Sequence, residues 1–495
     1  MERIMTKQKK QTITILVLLL LLILLGGAYL FASNYQKSKE KKESSATKSV
    51  SLYKFKENDI TKLHYKNSNA NITFVKEKNT WKMENDKDFP VDQSKVKTMV
   101  SDMAAVTASR QITKDCNDLS EYALDSPSLV IELTDKNGKT ESISYGLESA
   151  AAEGCYAYTG DNTKEVYVVP SNVTDDFSYT QAQLMTLPDT PDILAQYVTS
   201  YEVDKKKGTN FLATYDNKKA KYKDIYGWDI TKAYDQTVAG DEDGLQTVFS
   251  ALSGLEYTEG VVYHATKKEE KQYGISNPKY TLNVRYYTVN DTDDDSSDST
   301  EIAEKDKTYH TFKLLVGNLD DTQQNYYVQP SGSNGIYLVS ADTIASIAEF
   351  EAFSCVYKTP CPANTDSLKS LTLNYQGKKY TMTLDKEEKP STSSSKEYNY
   401  TSKVNGKKVS DKTFRKAYEA LGNITYSAAI KSSVKPSSDT PVATLQFAED
   451  NKNFTVSFLP YDGSNFYRVK VNDVCLFVAD MTTVDSCLKD LTAVK

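Results

Sequence analysis

The segment Tyr122-Ala-Leu-Asp-Ser-Pro127, which runs into Ser-Leu-Val-Ile-Glu-Leu133, returns later in the chain as Tyr273-Gly-Ile-Ser-Asn-Pro278 running into Lys-Tyr-Thr-Leu-Asn-Val284. One offset separates both tyrosines and both prolines, so the chain carries an internal duplication. Each proline fixes its own φ and pushes the preceding residue out of the helical region, so the chain leaves the turn extended. Alternation follows. Leu129, Ile131 and Leu133 share one face, as do Tyr280, Leu282 and Val284, which predicts half-buried strands. Tyr122 and Tyr273 are expected to brace these turns against the core, the functional alternative being a recognition loop.

A helix precedes each turn. Asp92 stands four residues ahead of Val96, with Met99, Val100 and Met103 completing an i, i+3, i+4, i+7 face. Asp241 leads Leu245, Val248, Phe249 and Leu252 in the same way, and Ser410 leads Phe414, Ala417, Tyr418 and Leu421. The third set predicts a third, more diverged copy, since it lacks the tyrosine turn. After each helix, a strand opened by Pro127, Pro278 or Pro441 begins an expected four-stranded antiparallel run. Short helices near Ser171, Ala341 and Met481 are expected to close these runs. Two polar insertions, Asn290 to Lys307 and Lys386 to Lys396, read as surface loops.

The N-terminus bears Arg3, Lys7, Lys9 and Lys10, followed by an almost wholly apolar run from Ile13 to Ala32. At about 1.5 Å per residue that run has the length to span a bilayer. A signal peptide cut near Gly26-Gly27-Ala28 is the competing reading, but Tyr29-Leu-Phe-Ala32 continue the run past it, which favours an uncleaved anchor. The basic head is the natural cytoplasmic end, with everything after Ser33 outside. The expected organisation is therefore a head (1–12), a transmembrane anchor (13–32), a flexible stalk (33–50) and three units (51–195, 196–362 and a diverged 363–495). Strands joined by short turns, with helices segregated from them, put the expected fold class at α+β: a transmembrane helix followed by tandem units of antiparallel sheet plus helices.

Chemistry is harder to find. With 495 residues and a net charge of −7, the chain offers no basic surface for nucleic acid. It has 35 tyrosines but only 3 histidines, and His64, His264 and His310 fit no metal-ligand spacing. Asp291, Asp293 and Asp295 alternate like calcium-loop ligands, yet Ser296 stands where such a loop needs glycine and Ile302 where it needs glutamate. No nucleophile elbow, phosphate-binding loop or Cys-x-x-Cys pair is present. No catalytic, cofactor-binding or metal-ligating residue is assigned, and no cofactor is expected. Six cysteines outside the membrane would allow local disulfides, Cys116 with Cys155, Cys355 with Cys361 and Cys475 with Cys487, the alternative being free buried thiols.

Trp81-Lys-Met, Pro90-Val-Asp92, the run Leu119 to Pro127, Tyr145-Gly146 and the tyrosine-bearing strands at Tyr156 and Val166 together resemble the domain-of-unknown-function family DUF4340. The resemblance spans Ile60 to Phe177 best and recurs more weakly over Tyr201 to Ile347. Ala123 replaces the glycine usual in that turn, whereas Gly274 keeps it. It implies an extracytoplasmic part of a bacterial membrane system alongside ABC-type transport components, and it carries no catalytic residues across. The expected function is thus a membrane-anchored extracytoplasmic binding or assembly module, accessory to an ABC-type transport or cell-envelope complex. The rival is a cell-wall or glycan-processing enzyme using scattered carboxylates.

Overall fold

The computed structural model describes residues 49–150, 153–215, 227–290, 302–361, 365, 367–389, 398–449, 453–463 and 465–494. Contacts divide the chain into two units, one reaching to Leu187 and including Glu259–Tyr263, the other comprising Pro188–Thr258 and His264 onward. The anchor, nearly all of the stalk and the acidic stretch around Asp291 to Asp298 lie outside the described residues. Among the described residues, no helix is long and apolar enough to cross a membrane.

Unit 1 is built on an eight-stranded antiparallel sheet. Its order is Thr80–Met83, Asn71–Glu77, Ile60–Lys66, Leu129–Asp135, Thr140–Ser149, Gly154–Thr159, Val166–Val169 and Arg110–Thr113. A two-stranded ribbon pairs Val50–Lys54 with Ala105–Ala108. The first sheet of unit 2 runs Val238–Ala239, Trp228–Ile230, Phe211–Tyr215, Val198–Lys205, Tyr280–Val289, Lys307–Leu319, Asn325–Pro330 and Ile336–Ser340. Its second sheet runs Lys407–Lys408, Tyr398–Val404, Lys378–Glu388, Leu368–Tyr375, Ala443–Glu449, Asn453–Pro460, Phe466–Val471, Val474–Asp480 and Tyr426–Ala429.

The expected class is therefore corrected: the chain is mostly β. What recurs is strand order, not a sheet-plus-helix unit. The closing helices are unlike one another, four residues at Val173–Asp176, eight at Ala341–Ala348 and thirteen at Met481–Ala493. The six-residue Lys267–Gln272 helix precedes only the second tyrosine turn, the first being entered through a 3-10 turn at Leu119–Tyr122. The expected four-stranded runs are also too small. In each large sheet, strands that precede the amphipathic helix join the same sheet as those that follow it. Ile60–Lys66 pairs with Leu129–Asp135, Val198–Lys205 with Tyr280–Val289 and Leu368–Tyr375 with Ala443–Glu449. Periodicity reports a strand's buried face but not its distant partner.

The amphipathic helices form at Gln93–Met103, Glu242–Ser253 and Asp411–Glu419, each capped by the expected residue. Asp92 accepts from the Ser94 and Lys95 amides at 2.9 and 3.2 Å, and Asp241 accepts from the Gly244 amide at 2.9 Å. These bonds occupy donors that the first helical turn leaves unpaired. Their apolar faces are buried against the sheets, and matching tyrosines lock the layers. Tyr65 donates to the Tyr179 carbonyl at 2.8 Å, and Tyr201 to that of Ile347 at 2.6 Å.

The six cysteines are all free, which corrects the three expected disulfides. Five of the thiols are buried, and Cys475 is half-buried. Cys116 packs with Leu124 and Val166 and donates to the Asp118 carbonyl at 3.4 Å, whereas Cys155 sits on the strand opposite Glu148. Cys355 points to the Gly244 carbonyl at 3.8 Å, and burial pushes its thiol up to about 11. Cys487 donates to the Ala420 carbonyl at 3.2 Å within the core that also buries Cys361.

Candidate functional site

A groove of about 690 Å³ lies in unit 2, where five strands of its first sheet meet the N-terminal part of the Glu242–Ser253 helix. Alternation along Tyr280–Val289 buries Leu282, Val284 and Tyr286 and sends Arg285 and Tyr287 to the opposite side, where they line the groove. Register does the rest. Tyr287 stands directly across from Tyr309, and Arg285 across from Ser200.

The walls are aromatic. Tyr197 and Tyr287 approach to 4.9 Å between ring centroids, Tyr287 and Tyr309 to 5.7 Å, and Tyr215 and Trp228 to 5.3 Å. Trp228 is buried, but Tyr215 and Tyr309 remain 47% and 49% exposed, unusual for rings on ordered strands. Gly227 has φ of +74°, and a Cβ there would come within 2.6 Å of the Tyr215 ring, so the missing side chain lets that ring lie against the backbone.

Polar groups are interleaved with these rings. Lys307 bonds Glu304 at 3.2 Å and sits 4.9 Å from the Tyr287 ring centroid, while Tyr309 donates to Glu304 at 2.8 Å. Burial works against the Lys307 charge, but the bond to Glu304 and the neighbouring tyrosines outweigh it and raise its pKa. The same Glu304 bond is the first cause that raises the Tyr309 hydroxyl. Gln196, Gln246 and Glu242 complete the polar side. With Arg285 and Lys307 against Glu242 and Glu304, the lining charges cancel, which suits a neutral ligand with flat apolar faces and many hydroxyls.

The features singled out in the sequence lie elsewhere. Tyr122 and Tyr273 brace their turns, Tyr122 meeting Tyr156 edge-on at 4.9 Å between centroids and Tyr273 lying tilted against Tyr327 at 4.5 Å. His64 bonds Asn71 at 2.9 Å, and His310 bonds Thr288 at 2.9 Å and stacks on Tyr286. Among the described residues no cluster could hold a metal ion. The groove residues escaped sequence reasoning because they come from five strands, a helix and two 3-10 turns, and the one available signal was the run of tyrosines at Tyr286-Tyr287 and Tyr309.

No curated protein and no solved structure matches the chain. A family model, by contrast, matches twice, over residues 81–278 and 228–446, and each match opens on one of the two tryptophans, Trp81 and Trp228. By these matches, which together cover most of its length, the chain belongs to the DUF4340 family, defined by a domain of unknown function.

Proposed function

We propose that the chain is a membrane-anchored extracytoplasmic binding and assembly module, accessory to an ABC-type transport or cell-envelope complex, and that the groove of unit 2 holds a neutral saccharide segment for it. One observation carries the ligand reading: half-exposed Tyr215 and Tyr309 flank a charge-balanced groove of about 690 Å³. Aromatic faces cover the C–H faces of a sugar ring, while amides, hydroxyls and paired charges meet its hydroxyls. The anchor reading is supported by the apolar run from Ile13 to Ala32, and the partner reading rests on the bacterial membrane systems that the family resemblance implies.

The enzyme reading has one observation in its favour, since Glu242 and Glu304 line the same groove. A glycosidic general acid, however, needs an environment that keeps its carboxyl protonated. Glu304 is 72% exposed and paired with the Lys307 ammonium, not enclosed in the apolar surroundings that such a carboxyl needs. Binding therefore fits better than hydrolysis.

The test is titration of the intact chain with soluble neutral oligosaccharides from cell-wall glycan, followed by tryptophan fluorescence, because Trp228 lies beside Tyr215. Tyr215→Ala and Tyr309→Ala should each weaken binding about tenfold with little change in melting temperature. Unaltered binding in both variants would refute the groove. Cleavage of the oligosaccharide that is lost in Glu242→Gln or Glu304→Gln would establish the enzyme instead.

A further inference from the structure

We infer that unit 1 carries a separate binding site for a primary ammonium group on a short apolar stem, in a pocket of about 450 Å³ beside the first tyrosine turn. The first sheet of unit 2 shows what this corner of the fold can hold. There Lys279, which directly follows Pro278, bonds Glu349 at 3.2 Å and the Tyr326 hydroxyl, and it lies 5.0 and 4.8 Å from the Tyr280 and Tyr326 ring centroids. Tyr280 and Tyr326 also donate to Glu349, the latter at 3.4 Å. An ammonium on an alkyl stem plugs the corner from within the chain.

In unit 1 three of these fillers, Lys279, Tyr280 and Tyr326, are replaced by something smaller. The turn alignment sets Ser128 against Lys279 and Leu129 against Tyr280. Sheet register sets Cys155 against Tyr326: Tyr145 pairs with Ala157 and Glu148 with Cys155, as Val316 pairs with Val328 and Leu319 with Tyr326. The plug is gone and the pocket stands where it would be, lined by Ser128, Leu129, Glu148, Cys155 and Phe177.

The remaining polar atoms show what the pocket recognises. Ser128 donates to the Tyr145 carbonyl at 3.2 Å, Thr174 to that of Ser171 at 2.7 Å, Ser178 to that of Asp175 at 2.7 Å, and Ser68 to the Asn69 side chain at 3.2 Å. A hydroxyl that has given its proton to the protein offers only lone pairs to a ligand. Asn67 likewise spends its amide on the Phe177 carbonyl. Glu148 is the one charged residue in the lining, and it makes no ion pair or side-chain hydrogen bond among the described residues. With most of its hydroxyls spent as donors and one carboxylate in its lining, the pocket favours a cationic donor with three N–H groups, and Leu147, 52% exposed, offers apolar surface to its stem.

The test titrates the intact chain with Nα-acetyl-lysinamide, its Nε-acetylated form and n-butylamine, read by saturation-transfer NMR. The free ε-ammonium compound should bind saturably, and the Nε-acetylated form at least about tenfold more weakly. Butylamine binding as well as the lysinamide assigns the site to free small amines, whereas lysinamide alone assigns it to a peptide lysine. Glu148→Gln should weaken binding about tenfold, and Ser128→Lys, which restores the plug, should abolish it, while Ser128→Ala retains it. If Ser128→Lys fails to fold by its melting curve, Glu148→Gln decides. Equal binding of both acetylation states, parental affinity in Glu148→Gln, or no saturable binding of either amine overturns the inference. The pocket shares no residue with the unit 2 groove, so either can fail alone.

Discussion

Gly317→Ala tests the packing of the duplicated turn most directly. A Cβ on Gly317 would lie 2.1 Å from the Tyr273 carbonyl oxygen and 3.1 Å from the Gly274 carbonyl carbon. Carbon and carbonyl oxygen meet comfortably at roughly 3.3 Å or more, so turn and strand must separate by about 1 Å. The turn cannot yield freely, because the same oxygen accepts the Asn318 amide at 2.9 Å. Overpacking costs about 1–3 kcal/mol and a weakened buried hydrogen bond about 1 kcal/mol more. Alanine recovers up to about 1 kcal/mol by restricting the unfolded chain, leaving a net loss of about 1–3 kcal/mol. At about 2 °C per kcal/mol for a unit of this size, the midpoint should fall by about 2–6 °C. Gly254→Ala is the control: its φ is −91°, its nearest neighbour would be 3.6 Å away, and it should hold or raise the midpoint. Scanning calorimetry on the intact chain reads both variants against the parent. A Gly317→Ala protein that melts at or above the parent refutes the reasoning.

In unit 1, Ala123 adopts φ of +52° where the second turn has Gly274, so Ala123→Gly should raise stability by up to about 1 kcal/mol in the same assay, the relieved strain exceeding the entropy that glycine adds to the unfolded chain. Burial, reinforced by the neighbouring Asp176 carboxyl, raises the pKa of Asp102. The folded chain then holds this proton more tightly than the unfolded one, so its contribution is full below the unfolded pKa and lost as pH rises through the folded value. Asp102→Asn should match the parent melting temperature near about pH 3 and exceed it near about pH 7, and a difference that does not vary with pH sinks the assignment. For orientation, a cysteine at Ser44 should be alkylated by a membrane-impermeant reagent in intact cells above the level of the parent chain. Labelling that appears only after lysis would place the large region in the cytoplasm.

The sequence by itself determined the local devices. Helix caps at Asp92, Asp241 and Ser410 and the spacing of the apolar faces behind them depend on neighbours within a few residues, and such interactions are written in spacing. The duplication was legible for the same reason, since a turn that must present a carbonyl to Gly146 or Gly317 repeats its tyrosine and proline. Only the tertiary structure decided the class. Whether Ile60–Lys66 forms a small hairpin or the middle of an eight-stranded sheet depends on its pairing with Leu129–Asp135, and no period in either strand names the other. The cysteine outcome was decided in the same way, by which core each thiol entered. Both candidate sites belong to this second category. The groove collects Tyr215, Arg285, Tyr287 and Tyr309 from three strands, and the unit 1 pocket exists because Ser128, Leu129 and Cys155 are small where the first sheet of unit 2 places Lys279, Tyr280 and Tyr326. A cavity is a relation between residues distant in sequence, and only a folded sheet brings them into one register.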